Sequence, residues 1–218
     1  AIVVKDCAGF LVNRILLPYM NEAARLLQEG GDLERIDQVI YRFGMPMGPF
    51  TLTDEVGIDV GHKVAKILAQ AYGERMAVAE ILAKVHEELK LLGAKAGKGF
   101  YLHAGKDRRI NPDIDAAVSG TQGDLNLAPR AISDAEVLDR CLLIMVNEAS
   151  RCLDERVVAG PAVLDLAMSR LITSADKRVA AISKVVRVRV EFSKNRLKTL
   201  LPRSSGTFFT SRSPTLTN

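Results

Sequence analysis

The sequence predicts an all-α protein built on a duplicated helical hairpin and followed by a basic tail. Two observations carry this prediction: apolar residues recur at helical spacing through most of residues 10–168, and one seven-residue segment occurs twice. Residues 21–27 (NEAARLL) match residues 147–153 (NEASRCL) at five of seven positions. A second helix follows each copy. We therefore expect two copies of one hairpin that pack together and bury faces that neither buries alone.

The first helix is expected to run through Leu27 and to end at the glycine pair that follows it. An apolar run of β type precedes it at residues 2–4. Nearly every side chain from Phe10 to Leu27 is predicted to be buried. Asn13 should therefore either be hydrogen-bonded internally or face a ligand, because an unpaired buried carboxamide is costly.

Three further helical segments complete the first copy. The second helix is capped by Asp32 and leads into a turn rich in Gly and Pro. A third helical region covers residues 49–72 with a break near Gly57, and a fourth covers residues 78–89 and ends before Gly93. The first ninety residues are thus predicted to be mainly helical.

Residues 93–101 (GAKAGKGFY) are rich in glycine and lysine, as phosphate-binding loops are. They lack the G-x-x-x-x-G-K-[ST] order and follow a helix instead of a strand. The favoured interpretation is a tight turn that lets Phe100 and Tyr101 pack on the helices, and phosphate binding is the alternative.

The domain division predicted from the whole chain has four parts. They are a first repeat at residues 1–102, a linker at 103–132, the start of a second repeat at 133–170 and an atypical basic tail at 171–218. The linker is predicted from its Gly, Pro, Asn and Asp content. Ser133 and Glu136 match a capping box at the start of a long helix in the second repeat. The expected buried stripe of that helix is Leu138, Leu142, Met145, Ala149 and Cys152.

The tail differs from the body in charge and in periodicity. Of the 30 Lys and Arg and the 26 Asp and Glu in the chain, residues 171–218 hold 10 and 2, which leaves 20 and 24 for residues 1–170. Residues 186–192 (VRVRVEF) alternate with period two, as an edge strand would. Three accounts stay open: a frameshift, a divergent extension, or a basic arm that binds nucleic acid.

The remaining composition excludes several classes of protein. Cys7, Cys141 and Cys152 lack CxxC spacing, so we expect reduced thiols and neither a disulfide framework nor a metal site. No apolar run reaches the roughly 18 residues of a membrane span, and no secretory leader opens the chain. A protein of the bacterial cytoplasm or of an organelle matrix is expected.

Three motifs, in order, resemble one family. Residues 6–14 (DCAGFLVNR), 44–59 (GMPMGPFTLTDEVGID) and 97–101 (GKGFY) are similar to the carboxy-terminal domain of 3-hydroxyacyl-CoA dehydrogenases. The second repeat makes the chain most similar to the α-subunits of multifunctional fatty-acid oxidation complexes, in which that domain is duplicated. Ala8 departs from the proline usual at its position, and the resemblance covers residues 1–168.

The resemblance implies an NAD-dependent oxidation of (3S)-3-hydroxyacyl-CoA to 3-ketoacyl-CoA in β-oxidation. The family's Rossmann domain and catalytic His-Glu pair precede this region, so a fragment that binds no NAD and is inactive alone is expected. His62 lies on a helix and is expected to be solvated. Asn13 matches the family's active-site asparagine, which would orient the substrate carbonyl. Pro49 and Phe50 would shape the wall of the acyl pocket. Arg14 and Glu22 would be structural and would pair either between helices or at a subunit contact.

The implied partners are the acyl-CoA substrate, the missing Rossmann domain, and a second copy of the chain or a thiolase subunit. A non-catalytic helical module for oligomerisation or scaffolding is the alternative to an enzyme. A nucleic-acid binder with a basic tail is a third, less favoured hypothesis, since no aromatic side chains interleave the basic residues.

Overall fold

Helices form most of the regular structure in the computed structural model, which describes residues 1–104 and 107–172. The predicted all-α class is confirmed. The helices are α1 (Val12–Gln28), α2 (Leu33–Phe43), α3 (Pro49–Val56), α4 (Ile58–Tyr72), α5 (Glu80–Ala83), α6 (Asp113–Asp124), α7 (Asp134–Asp154) and α8 (Pro161–Ile172). Two strands, β1 (Tyr101–Ala104) and β2 (Asp107–Ile110), pair antiparallel as a hairpin.

In the first hairpin, α1 ends and α2 begins at residues whose types favour a helix end and a helix start. Gly30 has a φ of 109°, a left-handed conformation that suits glycine after a helix. The Asp32 carboxylate accepts a hydrogen bond from the Arg35 N–H at 2.7 Å, which caps α2. Leu26 of α1 and Ile36 of α2 are fully buried.

The third predicted helical region is divided between α3 and α4, and the break lies at Gly57, whose φ is 97°. The fourth region is short: α5 passes into a π-helical turn at Lys84–Glu88. A π turn carries one extra residue per turn and is often found at functional positions.

The segment predicted as a linker contains regular structure. Residues 103–132 include the second strand and α6, whose Ile114 and Ala117 are buried. Asp113 and Asp115 lie in the first turn of α6, where acidic groups favour a helix. The composition predicted loop because Gly, Ser and Asp lower helix propensity, and packing of α6 against α1 and α5 overrides it.

The long helix of the second repeat, α7, begins as predicted. The Ser133 hydroxyl accepts a hydrogen bond from the Glu136 N–H at 3.2 Å. Four members of its predicted stripe are buried and Leu138 is partly buried, and Cys141 is fully buried beside them. Helix α7 lies against both α1 and α2, so the two repeats share one hydrophobic core.

The apolar run at residues 2–4 is not a strand, contrary to expectation. This segment is joined to the second repeat by a hydrogen bond from the Lys5 N–H to the Val157 carbonyl oxygen, at 2.8 Å. Ile2 and Val4 are partly buried against the core while Val3 is exposed, so the alternation reflects docking on one side.

The predicted edge strand at residues 186–192 and the basic tail at 171–218, apart from the end of α8, lie outside the described residues. None of the helices that the structure describes is long and apolar enough to cross a membrane.

Candidate functional site

The turn before α1 is held in an uncommon backbone conformation. Gly9 and Phe10 both have positive φ values, 74° and 49°. The Phe10 N–H donates to the Cys7 carbonyl oxygen at 2.9 Å. A Cβ on Gly9 would lie 2.8 Å from the Leu68 side chain and 3.0 Å from the Arg14 nitrogen, so only glycine fits between α1 and α4.

Asn13 lies in the first turn of α1 with its side chain exposed. The expectation that α1 buries nearly every residue from Phe10 onward is therefore wrong at Asn13, and also at Phe10, which is 56% exposed. Within the described ranges the Asn13 carboxamide has no hydrogen-bond partner. The internal hydrogen bond that was one of the two alternatives for Asn13 is therefore not formed among the described residues, and the ligand-facing role stays a prediction.

Asn13 lines an open cleft of about 480 Å³ between the start of the chain, the turn before α1 and helix α8. Its walls are mainly apolar. The other lining residues are Ala1, Ile2, Val4, Gly9, Phe10, Leu11, Val12, Leu166 and Ala167.

Arg14, the neighbour of Asn13, is fully buried. Its guanidinium donates to both carboxylate oxygens of Glu155, at 2.7 and 2.8 Å, and to Glu148 at 3.4 Å. The hydrogen bonds to Glu155 raise the pKa of Arg14 above its usual range. The predicted pairing of Arg14 between helices is present, and its partners belong to the second repeat.

Tyr72 joins α4 to this arrangement. The Arg14 guanidinium lies over the Tyr72 ring at 4.4 Å, and the Tyr72 hydroxyl donates to the Ala8 carbonyl oxygen at 3.0 Å. Burial raises the pKa of Tyr72 to about 12, so the hydroxyl stays a donor at neutral pH. The turn that carries Asn13 is thus held from two sides, by α4 and by α7.

Pro49 and Phe50 lie at the start of α3 and do not line the cleft beside Asn13. The Phe50 ring is 1% exposed and contacts the Phe100 ring at 4.9 Å. The structure therefore places Phe50 in the core and does not bring it together with Asn13. The substrate-binding role of Pro49 and Phe50 stays a prediction.

A carboxylate from α2 caps α3. Asp37 accepts hydrogen bonds from the Phe50 and Thr51 N–H groups, at 2.8 and 3.0 Å, and from the Thr51 and Tyr101 hydroxyls, at 2.6 and 2.9 Å. Burial raises the pKa of Asp37, and these donors oppose that effect. A Cβ on Gly48 would lie 2.4 Å from the Asp37 Cα, which explains the glycine in this turn.

A second buried carboxylate, Asp54, organises the glycine-rich loop. It accepts hydrogen bonds at 2.9 Å from the N–H groups of Phe100 and Tyr101 and contacts His103 Nε2 at 2.9 Å. A Cβ on Gly99 would lie 2.0 Å from an Asp54 oxygen. These contacts favour the packing interpretation of residues 93–101 over phosphate binding. The family-like motifs include the residues whose N–H groups bind Asp37 and Asp54, but sequence spacing alone does not reveal which carboxylate binds which N–H group.

His62 is buried, and the expectation that it is solvated is wrong. Its Nε2 contacts Glu87 at 3.0 Å, and its ring lies 5.0 Å from the ring of His86. Burial lowers the pKa of His62. Both Nδ1 atoms of this histidine pair are buried without a hydrogen-bond partner. No group of three metal-ligating side chains occurs among the residues that the structure describes.

Comparison with known proteins gives one family and several related folds. The family described as 3-hydroxyacyl-CoA dehydrogenase, C-terminal domain, matches residues 9–103. This match is centred on the first repeat and contains Asn13, Asp37 and Asp54.

Among solved structures, 3-hydroxybutyryl-CoA dehydrogenase from Escherichia coli K12 is similar with a TM-score of 0.64 and 18% identity, over 89% of this chain and 62% of that one. The dehydrogenase part of multifunctional enzyme 1 from C. elegans is similar with a TM-score of 0.55 and 22% identity, over 82% of this chain and 48% of that one. (S)-3-hydroxybutyryl-CoA dehydrogenase from Ralstonia eutropha is 34% identical over 46% of this chain and 36% of that one, with a TM-score of 0.44. The first two likenesses show a shared fold, and the chain spans less than two thirds of each of these proteins.

Proposed function

We propose that this chain supplies the substrate-binding and dimerisation part of a 3-hydroxyacyl-CoA dehydrogenase, because residues 9–103 match the family model of the carboxy-terminal domain of such enzymes. The reaction is the NAD-dependent oxidation of (3S)-3-hydroxyacyl-CoA to 3-ketoacyl-CoA in fatty-acid β-oxidation. The observation that carries the proposal is the unpartnered amide of Asn13, which faces an open cleft from a turn that Arg14 and Tyr72 hold in place.

Asn13 is proposed to act as an orienting and electrostatic group. A carboxamide does not titrate near neutral pH, so Asn13 cannot be the base. Its N–H can donate a hydrogen bond to the substrate oxygen at C3, which is a hydroxyl in the substrate and a carbonyl in the product. A donor fixed before the reaction favours the charge that develops on this oxygen, because no reorganisation is then needed.

The residues that the structure describes do not form a site for NAD. A dinucleotide site needs a strand, a glycine-rich turn and a helix in a parallel unit. The strands within residues 1–104 and 107–172 form one antiparallel hairpin, and a helix precedes the glycine-rich loop. We propose that a Rossmann domain outside this sequence carries NAD and the catalytic base.

Pro49 and Phe50 are proposed to influence the acyl site through packing. Phe50 contacts Phe100, and its N–H is held by Asp37, so its position is rigid. A rigid α3 supports α1, against which it packs, and α1 carries Asn13. This indirect role replaces direct lining of the cleft beside Asn13.

Association with a second copy or a thiolase subunit remains part of the proposal. One face of α1 already packs on α7 within the chain. A homo-oligomer would therefore use other surfaces. The bacterial cytoplasm or an organelle matrix is the proposed location, where acyl-CoA oxidation takes place.

The test is reconstitution. The chain is mixed with a separately produced Rossmann half, and acetoacetyl-CoA reduction is followed by NADH absorbance. Asn13→Ala should lower kcat about 10²- to 10³-fold, as loss of one positioned donor does. Gln70→Ala, at an exposed position of α4, is the control and should retain full activity.

Two outcomes would count against the proposal. Full activity in Asn13→Ala would remove Asn13 from the mechanism. Saturable NAD binding by this chain alone in calorimetry would overturn the assignment of NAD to another domain. If no Rossmann half restores activity, and the region encoded before Ala1 lacks a Rossmann fingerprint, the non-catalytic scaffold is the better account.

A further inference from the structure

The start of α1 is held by tertiary contacts and not by a local cap. Leu11 occupies the N-cap position, and its apolar side chain cannot accept a hydrogen bond from the first turn. The Arg14 N–H donates to the Gly9 carbonyl oxygen at 3.3 Å, so the turn before the helix is joined to the first helical residues. Asn13 lies within this joined segment. Its position therefore depends on what holds the turn.

Tyr72 supplies such a contact from the C-terminal end of α4. Its hydroxyl donates to the Ala8 carbonyl oxygen at 3.0 Å, and the Leu68 side chain, one turn earlier on α4, lies against Gly9. Because Ala8 directly precedes Gly9, the hydrogen bond fixes the turn at the point where its backbone enters the left-handed region.

Tyr72 is itself fixed by two guanidinium groups. The Arg14 Cζ atom lies 4.4 Å and the Arg75 Cζ atom 4.5 Å from the centroid of the Tyr72 ring. Both arginines also bind the buried carboxylate of Glu148 in α7, through Nε at 3.4 and 3.3 Å. Glu148 of the second repeat therefore holds both groups that hold the ring.

We propose that Tyr72 is a positioning residue for Asn13, and that Arg75, bound to Glu148 of the second repeat, acts through Tyr72. The proposal rests on the function proposed above, in which the Asn13 carboxamide donates to the substrate oxygen. Tyr72 does not line the cleft beside Asn13, so it acts on the reaction through the turn. The second repeat thereby sets the position of a functional group of the first repeat.

Tyr72→Phe tests the hydroxyl alone, because the ring and its stacking are retained. Tyr19→Phe is the matched control, since the buried Tyr19 hydroxyl in α1 has no hydrogen-bond partner among the described residues. Both variants are isotopically labelled, and NMR follows the Asn13 carboxamide signals, which are identified by their loss in Asn13→Ala. In Tyr72→Phe we expect these signals to shift and the Phe10 N–H to exchange at least about tenfold faster with solvent. Neither change is expected in Tyr19→Phe.

In the reconstituted enzyme the expected result is a split between kcat and KM. Tyr72→Phe should lower kcat about tenfold, which is a fraction of the loss expected for Asn13→Ala, and should leave KM for acetoacetyl-CoA within about twofold. Added to Asn13→Ala, Tyr72→Phe should lower kcat by less than about twofold further, because the group that it positions is already gone. The effects of the two substitutions on urea unfolding should instead add.

Arg75→Gln tests the link to the second repeat. This variant should lower kcat in the same direction as Tyr72→Phe but more weakly, because the hydrogen bond from the Tyr72 hydroxyl to Ala8 remains. An unchanged kcat in Arg75→Gln would remove Arg75 and Glu148 from the proposal and restrict it to Tyr72.

The outcomes separate this proposal from the function on which it rests. Unchanged Asn13 signals and unchanged Phe10 exchange in Tyr72→Phe, or the same changes in Tyr19→Phe, would overturn the positioning role, whatever the enzyme does. Additive losses of kcat in the double variant would also overturn it, because Tyr72 would then act by another route. An inactive reconstituted wild type, together with shifted Asn13 signals in Tyr72→Phe, would reject the dehydrogenase function and retain the control of Asn13 by Tyr72.

Discussion

Arg14 of the first repeat binds two glutamates of the second repeat, and Arg140 of the second repeat binds the two equivalent glutamates of the first. The two arginines lie 126 residues apart. In each case the two terminal nitrogens donate to both oxygens of one glutamate, at 2.7 and 2.8 Å, and Nε donates to a second glutamate. The glutamates that receive these bonds are also 126 residues apart. Arg14 binds Glu155 and Glu148, and Arg140 binds Glu29 and Glu22.

This reciprocal exchange gives the duplicated unit a structural meaning. The two repeats share the same spacing between their arginine and their two glutamates, and the hydrogen bonds from each arginine to these glutamates run between the repeats. Each arginine thus makes its two shortest terminal-nitrogen contacts with a glutamate of the other repeat, while Arg140 also contacts Glu136 of its own repeat at 3.4 Å. The two sites differ in environment, because Arg14 is fully buried and the Arg140 side chain is 25% exposed.

Arg14→Gln should destabilise the protein by about 3 kcal/mol, because it removes a fully buried guanidinium that binds Glu155 through two hydrogen bonds, whereas Glu148 keeps Arg75 and Arg151 as partners. Arg140→Gln removes the equivalent bonds at a more exposed site and should cost about 1 kcal/mol. Urea unfolding of both variants measures the difference. In the reconstituted enzyme, Arg14→Gln should also lower kcat, since Arg14 anchors the turn that carries Asn13, whereas Arg140→Gln should not. Equal losses of stability would contradict the difference in burial.

Gly99→Ala should destabilise the protein strongly, by about 3 kcal/mol or more, because the new Cβ would lie 2.0 Å from an Asp54 oxygen and displace the capped loop. Gly61→Ala is the matched control. Gly61 lies inside α4 with open space at its Cβ, so alanine there should stabilise the helix by about 0.5–1 kcal/mol. Thermal unfolding of the two variants should therefore shift in opposite directions, and a shift of Gly99→Ala within error of the wild type would refute the close approach.

Asp37→Ala should cost about 3 kcal/mol, because two backbone N–H groups of α3 and the buried Tyr101 hydroxyl lose their acceptor together. Asp32→Ala removes an ordinary exposed helix cap and should cost about 1 kcal/mol. The comparison, made by denaturant unfolding, tests whether Asp37 is a structural capping group. Near-equal costs would show that water replaces the lost carboxylate at α3.

Local signals predicted the parts of the fold that depend on neighbours in sequence. The caps at Asp32 and Ser133, the stop at Gly30 and the repeat itself all follow from short-range patterns. Helix α6 was missed because its composition is that of a loop and its stability comes from packing. Periodicity reveals which face of a helix is apolar, but it does not reveal what covers that face.

The candidate site divides in the same way. The resemblance singled out Asn13, and the position of its side chain beside a cleft agrees with a ligand-facing role. The burial of Arg14 could not be predicted from the sequence, since an arginine without a known partner is ordinarily expected at the surface. Its burial depends on Glu155, which lies 141 residues away in the chain.

His62 should make stability depend on pH in the weakly acidic range. Burial lowers its pKa in the folded state, whereas a histidine in the unfolded chain titrates near 6.5. Below about pH 6.5 the unfolded chain therefore binds a proton that the folded protein does not. Above this pH the contribution of neutral His62 to the free energy of unfolding is fully present. As the pH drops towards the folded-state pKa, this contribution falls with a slope of at most about 1.4 kcal/mol per pH unit.

The groups that face His62 define the measurement. Glu87 accepts from its ring and from Lys66, and His86 stacks beside it. Lys66 and His62 lower the pKa of Glu87, so Glu87 contributes its own pH dependence only below about 4.5, the ordinary value for glutamate. Urea unfolding between pH 5 and 7 measures the pH dependence, and the comparison with a His62 variant separates the contribution of His62 from that of buried carboxyls such as Asp37 and Asp54, whose pKa values burial raises. His62→Gln should flatten the profile in this window, and an unchanged slope in that variant would assign the pH dependence to other groups.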